Sequence, residues 1–179
     1  QGAIADLNKA IEINPQYAIA YTNRGVSKSN LKDYQGAIAD FTRAIEINPQ
    51  DADNYYNRGT IKSNLNDYQG AITDYNKAIE IDPQYVLAYI NRGVSKSNLK
   101  DYQGAIADHS KAIQINPQYA DAYKNRGYAK SYLKDYQGAI ADYTKAIEIN
   151  PQDADAYKNR GYAKDDSKDY QGAIADYNK

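Results

Sequence analysis

Residues 18–51 read AIAYTNRGVSKSNLKDYQGAIADFTRAIEINPQD, and nearly the same line is written again from residue 52, from 86 and from 120. All five prolines, Pro15, Pro49, Pro83, Pro117 and Pro151, stand on one 34-residue comb. The 11 glycines obey the same comb in two series, Gly2 to Gly172 and Gly25 to Gly161, so none is left for a separate linker. A fixed period of this length marks stacked supersecondary units, each too small to bury its own apolar face, so that neighbours complete one another's core.

Within the unit, Ala37, Ile38, Phe41, Ala44 and Ile45 recur at helical spacing and stop at Asn48-Pro49, where proline cannot continue a helix. This second helix starts after Asp33, whose carboxylate can accept the free amide hydrogens of the first turn and suits the helix dipole. A first helix is expected from about Ala18 to about Leu31. Asp51 and Asp153 are expected to cap its counterparts in the second and fifth units, while Tyr17, Tyr85 and Tyr119 occupy that position elsewhere and cap less well.

The order Tyr21, Gly25, Ala37, Phe41, Pro49 resembles the tetratricopeptide repeat, with its aromatic, its Gly, its Ala with an aromatic four later, and its closing Pro. The resemblance recurs in every unit and spans essentially the whole chain. It implies an all-α protein, an α-solenoid of antiparallel helix pairs in a right-handed superhelix, with first helices on the concave surface. The expected organisation is a single array over 1–179. Residues 1–17 hold the second helix of a truncated repeat, 18–51, 52–85, 86–119 and 120–153 are full repeats, and 154–179 is a partial one. QGAIADLNK at 1–9 returns as QGAIADYNK at 171–179, so the chain reads as part of a longer protein.

Two charged series depart from the family pattern. Arg24, Arg58, Arg92, Arg126 and Arg160, with Lys28, Lys62, Lys96, Lys130 and Lys164, fall on the inward side of the first helix, the side of Tyr21 and Gly25. Unpaired charges are costly there. The acidic series Asp40, Asp74, Asp108, Asp142 and Asp176 flanks the core side of the second helix, so Arg and Asp are expected to pair as structural pins.

Composition narrows the function. Lys plus Arg number 22 and Asp plus Glu 23, a balance without the field that draws nucleic acid or anionic lipid. No apolar run approaches the roughly 20 residues of a membrane helix. With no Cys, one His and every Gly absorbed by the framework, no metal site, thiol nucleophile or phosphate loop is expected; the reading is a non-enzyme without cofactors. His109 occupies the slot of Phe41, Tyr75 and Tyr143 and is read as core packing.

The opposite stripe of the first helix, Ile19, Thr22, Asn23, Val26, Ser29 and Asn30, is where binding is expected. Asn23, Asn57, Asn91, Asn125 and Asn159 repeat along it, and a carboxamide offers the donor and the acceptor that hold a peptide main chain. Of the 20 Tyr, 16 belong to the framework; Tyr56, Tyr128, Tyr132 and Tyr162 map to the stripe as candidate anchors. Ile19, Val26, Leu87, Ile90 and Val94 make one end apolar, whereas Asp121, Lys124, Asp155 and Lys158 make the other charged, with both lysines as candidate contacts. The carboxylate clamp of chaperone-binding relatives is not expected, because Asp121 and Asp155 stand where a clamp favours Lys. The expected function is a scaffold that binds an extended or helical protein segment. Self-association through exposed repeat ends, and service as the regulatory arm of a larger enzyme, are the alternatives.

Overall fold

The computed structural model describes residues 2–179, and among these it is all helix and loop. In order the helices are α1 (Gly2–Ile13), α2 (Ala18–Asn30), α3 (Tyr34–Ile47), α4 (Ala52–Asn64), α5 (Tyr68–Ile81), α6 (Val86–Asn98), α7 (Tyr102–Ile115), α8 (Ala120–Tyr132), α9 (Tyr136–Ile149), α10 (Ala154–Asp166) and α11 (Tyr170–Tyr177). They fall into two compact units that divide between Ala88 and Tyr89, inside α6. In the first unit α1 packs on α2, α2 on α3, α3 on α4 and α4 on α5; in the second α7 packs on α8, α8 on α9, α9 on α10 and α10 on α11.

The second helices start as the sequence predicts. Asp33 accepts from the Gly36 amide at 3.0 Å, and Asp67, Asp101, Asp135 and Asp169 repeat the bond to Gly70, Gly104, Gly138 and Gly172. A Cβ at Gly36 would overlap the Asp33 carboxylate, so the glycine is what lets the cap close. Asp51 and Asp153 cap α4 and α10, whereas Tyr17 and Tyr119 give no side-chain cap. The residues before Pro49, Pro83, Pro117 and Pro151 leave the helical region, which stops the helix; Asn48 lies at φ −129°.

The first helices end by a device that sequence reasoning missed. Lys32, Asn66, Lys100, Lys134 and Lys168 adopt φ between 63° and 70°. The Asp33 amide then donates back to the Lys28 carbonyl at 2.9 Å, the long bond of a Schellman turn. Glycine usually fills this left-handed position, so its absence from the sequence hid the motif.

Each core is assembled across repeats. Phe41 lies against Gly25, where a Cβ would sit 3.1 Å from the ring, and it clusters with Ala37 and with Ile61 of the following repeat. The second unit repeats this with Ala139, Tyr143 and Ala163. A further cluster of Tyr55, Ala78 and Ala88 has its counterpart in Ala146, Ile147 and Ala156.

The charged series pair as expected, and more fully. Asp40, 3% exposed, accepts from Arg24 Nη2 at 2.6 Å and Nε at 2.9 Å, and Lys28 Nζ lies 2.8 Å from its other oxygen. The same triad forms at Asp74, Asp108, Asp142 and Asp176. Arg24 also places its guanidinium 5.4 Å from the Tyr21 ring centre. Its third nitrogen reaches back to Asn8 on α1 at 2.7 Å, as Arg58 reaches Thr42, Arg126 reaches Ser110 and Arg160 reaches Thr144. One arginine thus ties its own helix to the second helix after it and to the second helix before it. Burial alone would raise the Asp176 carboxyl, but hydrogen bonds from Arg160 and Lys164 hold it below its ordinary value.

Candidate functional site

Three clefts open beside the first helices at one register of the repeat. In the first unit Val26, Ser29, Asn30, Phe41, Asn57, Thr60 and Ile61 line about 190 Å³. In the second, Val94, Ser97, Asn98, His109, Asn125 and Tyr128 line about 250 Å³, and Tyr128, Ser131, Tyr132, Tyr143, Asn159, Tyr162, Ala163 and Asp166 line about 310 Å³. Each cleft has the core aromatic slot at its floor and the repeating Asn on its wall.

Asn57, Asn125 and Asn159 are half-buried, and no hydrogen bond joins their side chains, or that of exposed Asn23, to another described residue. Asn91 is also half-buried but lies outside these linings. Of the four extra tyrosines, the structure brings three together. Tyr128, Tyr132 and Tyr162 are each about half exposed around the largest cleft, with Tyr128 and Tyr132 rings 4.8 Å apart. Tyr132 also stacks on Tyr102 at 4.7 Å and 18°. The adjacent Tyr132 hydroxyl, then burial, push the Tyr128 phenol up to about 12, so the group is neutral at physiological pH.

Tyr56 lies elsewhere, in the first unit, half-buried against Tyr85 with ring centres 5.0 Å apart. It sits at the joint between successive first helices. The equivalent Thr22 bonds to Asn54 at 2.8 Å, and the equivalent Lys124 donates to Asp153 at 2.7 Å and pairs with Asp121 at 3.1 Å. These side chains point at the start of the next first helix, which gives Tyr56 and Lys124 protein partners at the joint. Ile90, at the same position, is only 5% exposed, which corrects its expected place on the apolar end of the groove. Lys158 is exposed and pairs with Asp155 at 2.5 Å. Tyr85 donates from its hydroxyl to Asp53 at 2.6 Å; burial, then this carboxylate, raise its phenol well above the ordinary range.

His109 is fully buried in the core slot, as the sequence suggests, and its ring lies on Gly93. Both ring nitrogens, and the Ser97 hydroxyl in the same cleft, lack a hydrogen-bond partner among the described residues. Burial drives the imidazole pKa down to about 4; Arg126 and Lys96 push the same way, against Asp108 and Asp142.

The family model for the tetratricopeptide repeat matches residues 18–51, 52–85, 86–119 and 120–153, and a second one matches 142–175. The chain belongs to the tetratricopeptide repeat family. Among solved tetratricopeptide structures it is similar to MamA, at 25% identity and TM-score 0.84 over 90% of this chain and 88% of that one. A MamA from Desulfovibrio magneticus RS-1 gives 21% identity and TM-score 0.85 over 90% of this chain and 91% of that one. YrrB, described as a tetratricopeptide protein with an unusual peptide-binding site, gives 22% identity and TM-score 0.81 over 95% and 88%. No curated protein matches the chain in sequence. Among the described residues no helix is long and apolar enough to cross a membrane.

Within this repeat, the cleft residues that sequence reasoning passed over are His109 as a cleft floor, and Asp166. The available signal was departure from the repeat itself. Asp165-Asp166 replaces the Ser-Asn of residues 29–30, 63–64 and 97–98, and His109 replaces an aromatic.

Proposed function

We propose that the chain is a protein-interaction scaffold whose first-helix clefts hold protein segments by their main chain, through Asn57 in the first unit and through Asn125 and Asn159 in the second, where Tyr128, Tyr132 and Tyr162 are anchors. Tetratricopeptide repeats generally serve as non-catalytic scaffolds, and the proposed role is of that kind. The observation that carries the reading is the repeated cleft. Three openings at one register each present a carboxamide with no hydrogen bond to another described residue, and a carboxamide can give a peptide both a donor and an acceptor. The tyrosines add large surface at small entropic cost on the one cleft where they gather. Asn23 in the first unit, and Asn91 and the exposed Lys158 in the second, are secondary contacts, while Tyr56 and Lys124 shape the joints between first helices.

Selection of a displayed peptide library on the folded chain tests this. Recovered peptides should lose about tenfold or more in affinity when Tyr128, Tyr132 and Tyr162 become Val, Asn and Thr, the residues of the first-unit cleft. Unchanged affinity in that variant would sink the assignment of these anchors.

A further inference from the structure

The largest cleft differs from its counterparts in chemistry as well as size. Tyr128, Tyr132 and Tyr162 stand around it, Tyr143 forms its floor, and Asp166 sits on its rim. Asp165 and Asp166 are exposed, and neither makes an ion pair with a described residue. Lys130 and Lys164 are already engaged, Lys130 by Asp142 at 2.7 Å and Lys164 by Asp176 at 2.8 Å. Both free carboxylates lie in the last turn of α10, where the helix dipole favours cations and disfavours added negative charge. The equivalent positions in the other repeats carry Ser-Asn or Ser-Tyr. A local arrangement that opposes its own helix is of the kind that natural proteins keep at functional sites.

We infer that this cleft is a specificity pocket for an arginine side chain of the bound segment, its guanidinium against the tyrosine faces and its charge met by Asp166. The inference rests on the groove reading above and names what one part of the groove selects. Exposed aromatic faces attract a cation through the ring quadrupole, and a carboxylate on the rim supplies the counter-charge. Arginine fits better than lysine because its planar guanidinium stacks on rings and its fork of donors matches a carboxylate.

The test uses the chain labelled for nuclear magnetic resonance and three blocked peptides, acetyl-Gly-Gly-Xaa-Gly-Gly-amide with Xaa as Arg, Lys or Gln. The Arg peptide should shift resonances of Tyr128, Tyr132, Tyr162 and Asp166; the Lys peptide should shift them less, and the Gln peptide should leave them in place. Asp166→Asn should weaken the Arg peptide by about fivefold, and Tyr162→Ala by at least as much, with unchanged circular dichroism melting as the fold control. Equal shifts from Arg and Gln at the clefts would leave the groove reading standing and overturn the arginine pocket. Shifts from Arg confined to other surfaces would overturn it too. If no peptide moves any first-helix resonance, both readings fall.

Discussion

The cleft at Asn57 and the cleft at Asn159 are built from the same positions of the repeat, yet they are different surfaces. Val26, Asn30, Thr60 and Ile61 in the first unit become Tyr128, Tyr132, Tyr162 and Ala163 in the second, while the serine and the asparagine do not change. Beneath both, an Asp bridged by Arg and Lys holds the helix pair with the same distances to within 0.1 Å, at Asp40 and at Asp142. The comparison separates what builds the repeat from what individualises it. The inward face of the first helix is fixed by charge and packing, and the outward face is free to vary because little rests on it.

The largest expected effect breaks the shared part. Asp40→Ala and Asp142→Ala each strand a half-buried Arg and Lys, and each should cost about 4 kcal/mol in its own unit, read by hydrogen exchange so that the units report separately. Unequal losses would show that the framework is not equivalent in the two clefts. Next is the slot where the floors differ. His109 binds a proton near 6.5 when unfolded but resists to about 4 when folded, so the second unit should lose roughly 3 kcal/mol as pH falls from 6.5 to 4. His109→Tyr should level the profile across that window, while the first unit stays flat throughout. Asp176, held low by its cations, loses its contribution only below this window, as its carboxylate protonates.

Smaller is the turn that ends each first helix. Lys32→Gly and Lys134→Gly relieve a left-handed backbone and should stabilise by about 1 kcal/mol each, equally in the two units, measured by thermal unfolding. Smallest in stability, within about 0.5 kcal/mol, is the transplant of Val26→Tyr, Asn30→Tyr, Thr60→Tyr and Asn64→Asp into the first unit. That variant should gain shifts from the arginine peptide around Asn57. A transplant that folds and stays silent would mean that the cleft needs more than its rim.

Much of this was legible because the repeat averages out local ambiguity. Periodicity placed every helix, Asp33 and its equivalents placed the caps, and the spacing of Arg24, Lys28 and Asp40 announced an ion pair that the structure contains. Site positions were harder, because helical geometry assigns a side chain to a sector and cannot say what stands across from it. Tyr56 and Lys124 fall in the outward sector by angle, yet the start of the neighbouring first helix lies in that direction and takes them up, and Ile90 at the same position is buried. Lys32 shows a second limit, since a left-handed residue without glycine leaves no mark in composition. Asp166 and His109 were visible only as exceptions to the repeat.

The backward reach of each arginine makes the array editable in whole units. Arg24 bonds Asn8, 16 residues earlier, and Asp40, 16 residues later, and Arg58 does the same with Thr42 and Asp74. Excise residues 18–51 and Arg58 inherits Asn8, with both bonds intact. Remove one residue fewer and the guanidinium faces the wrong side of its neighbour. The wiring therefore tolerates duplication and deletion by one step size only, a grammar by which such a gene can lengthen or shorten without relearning how to fold.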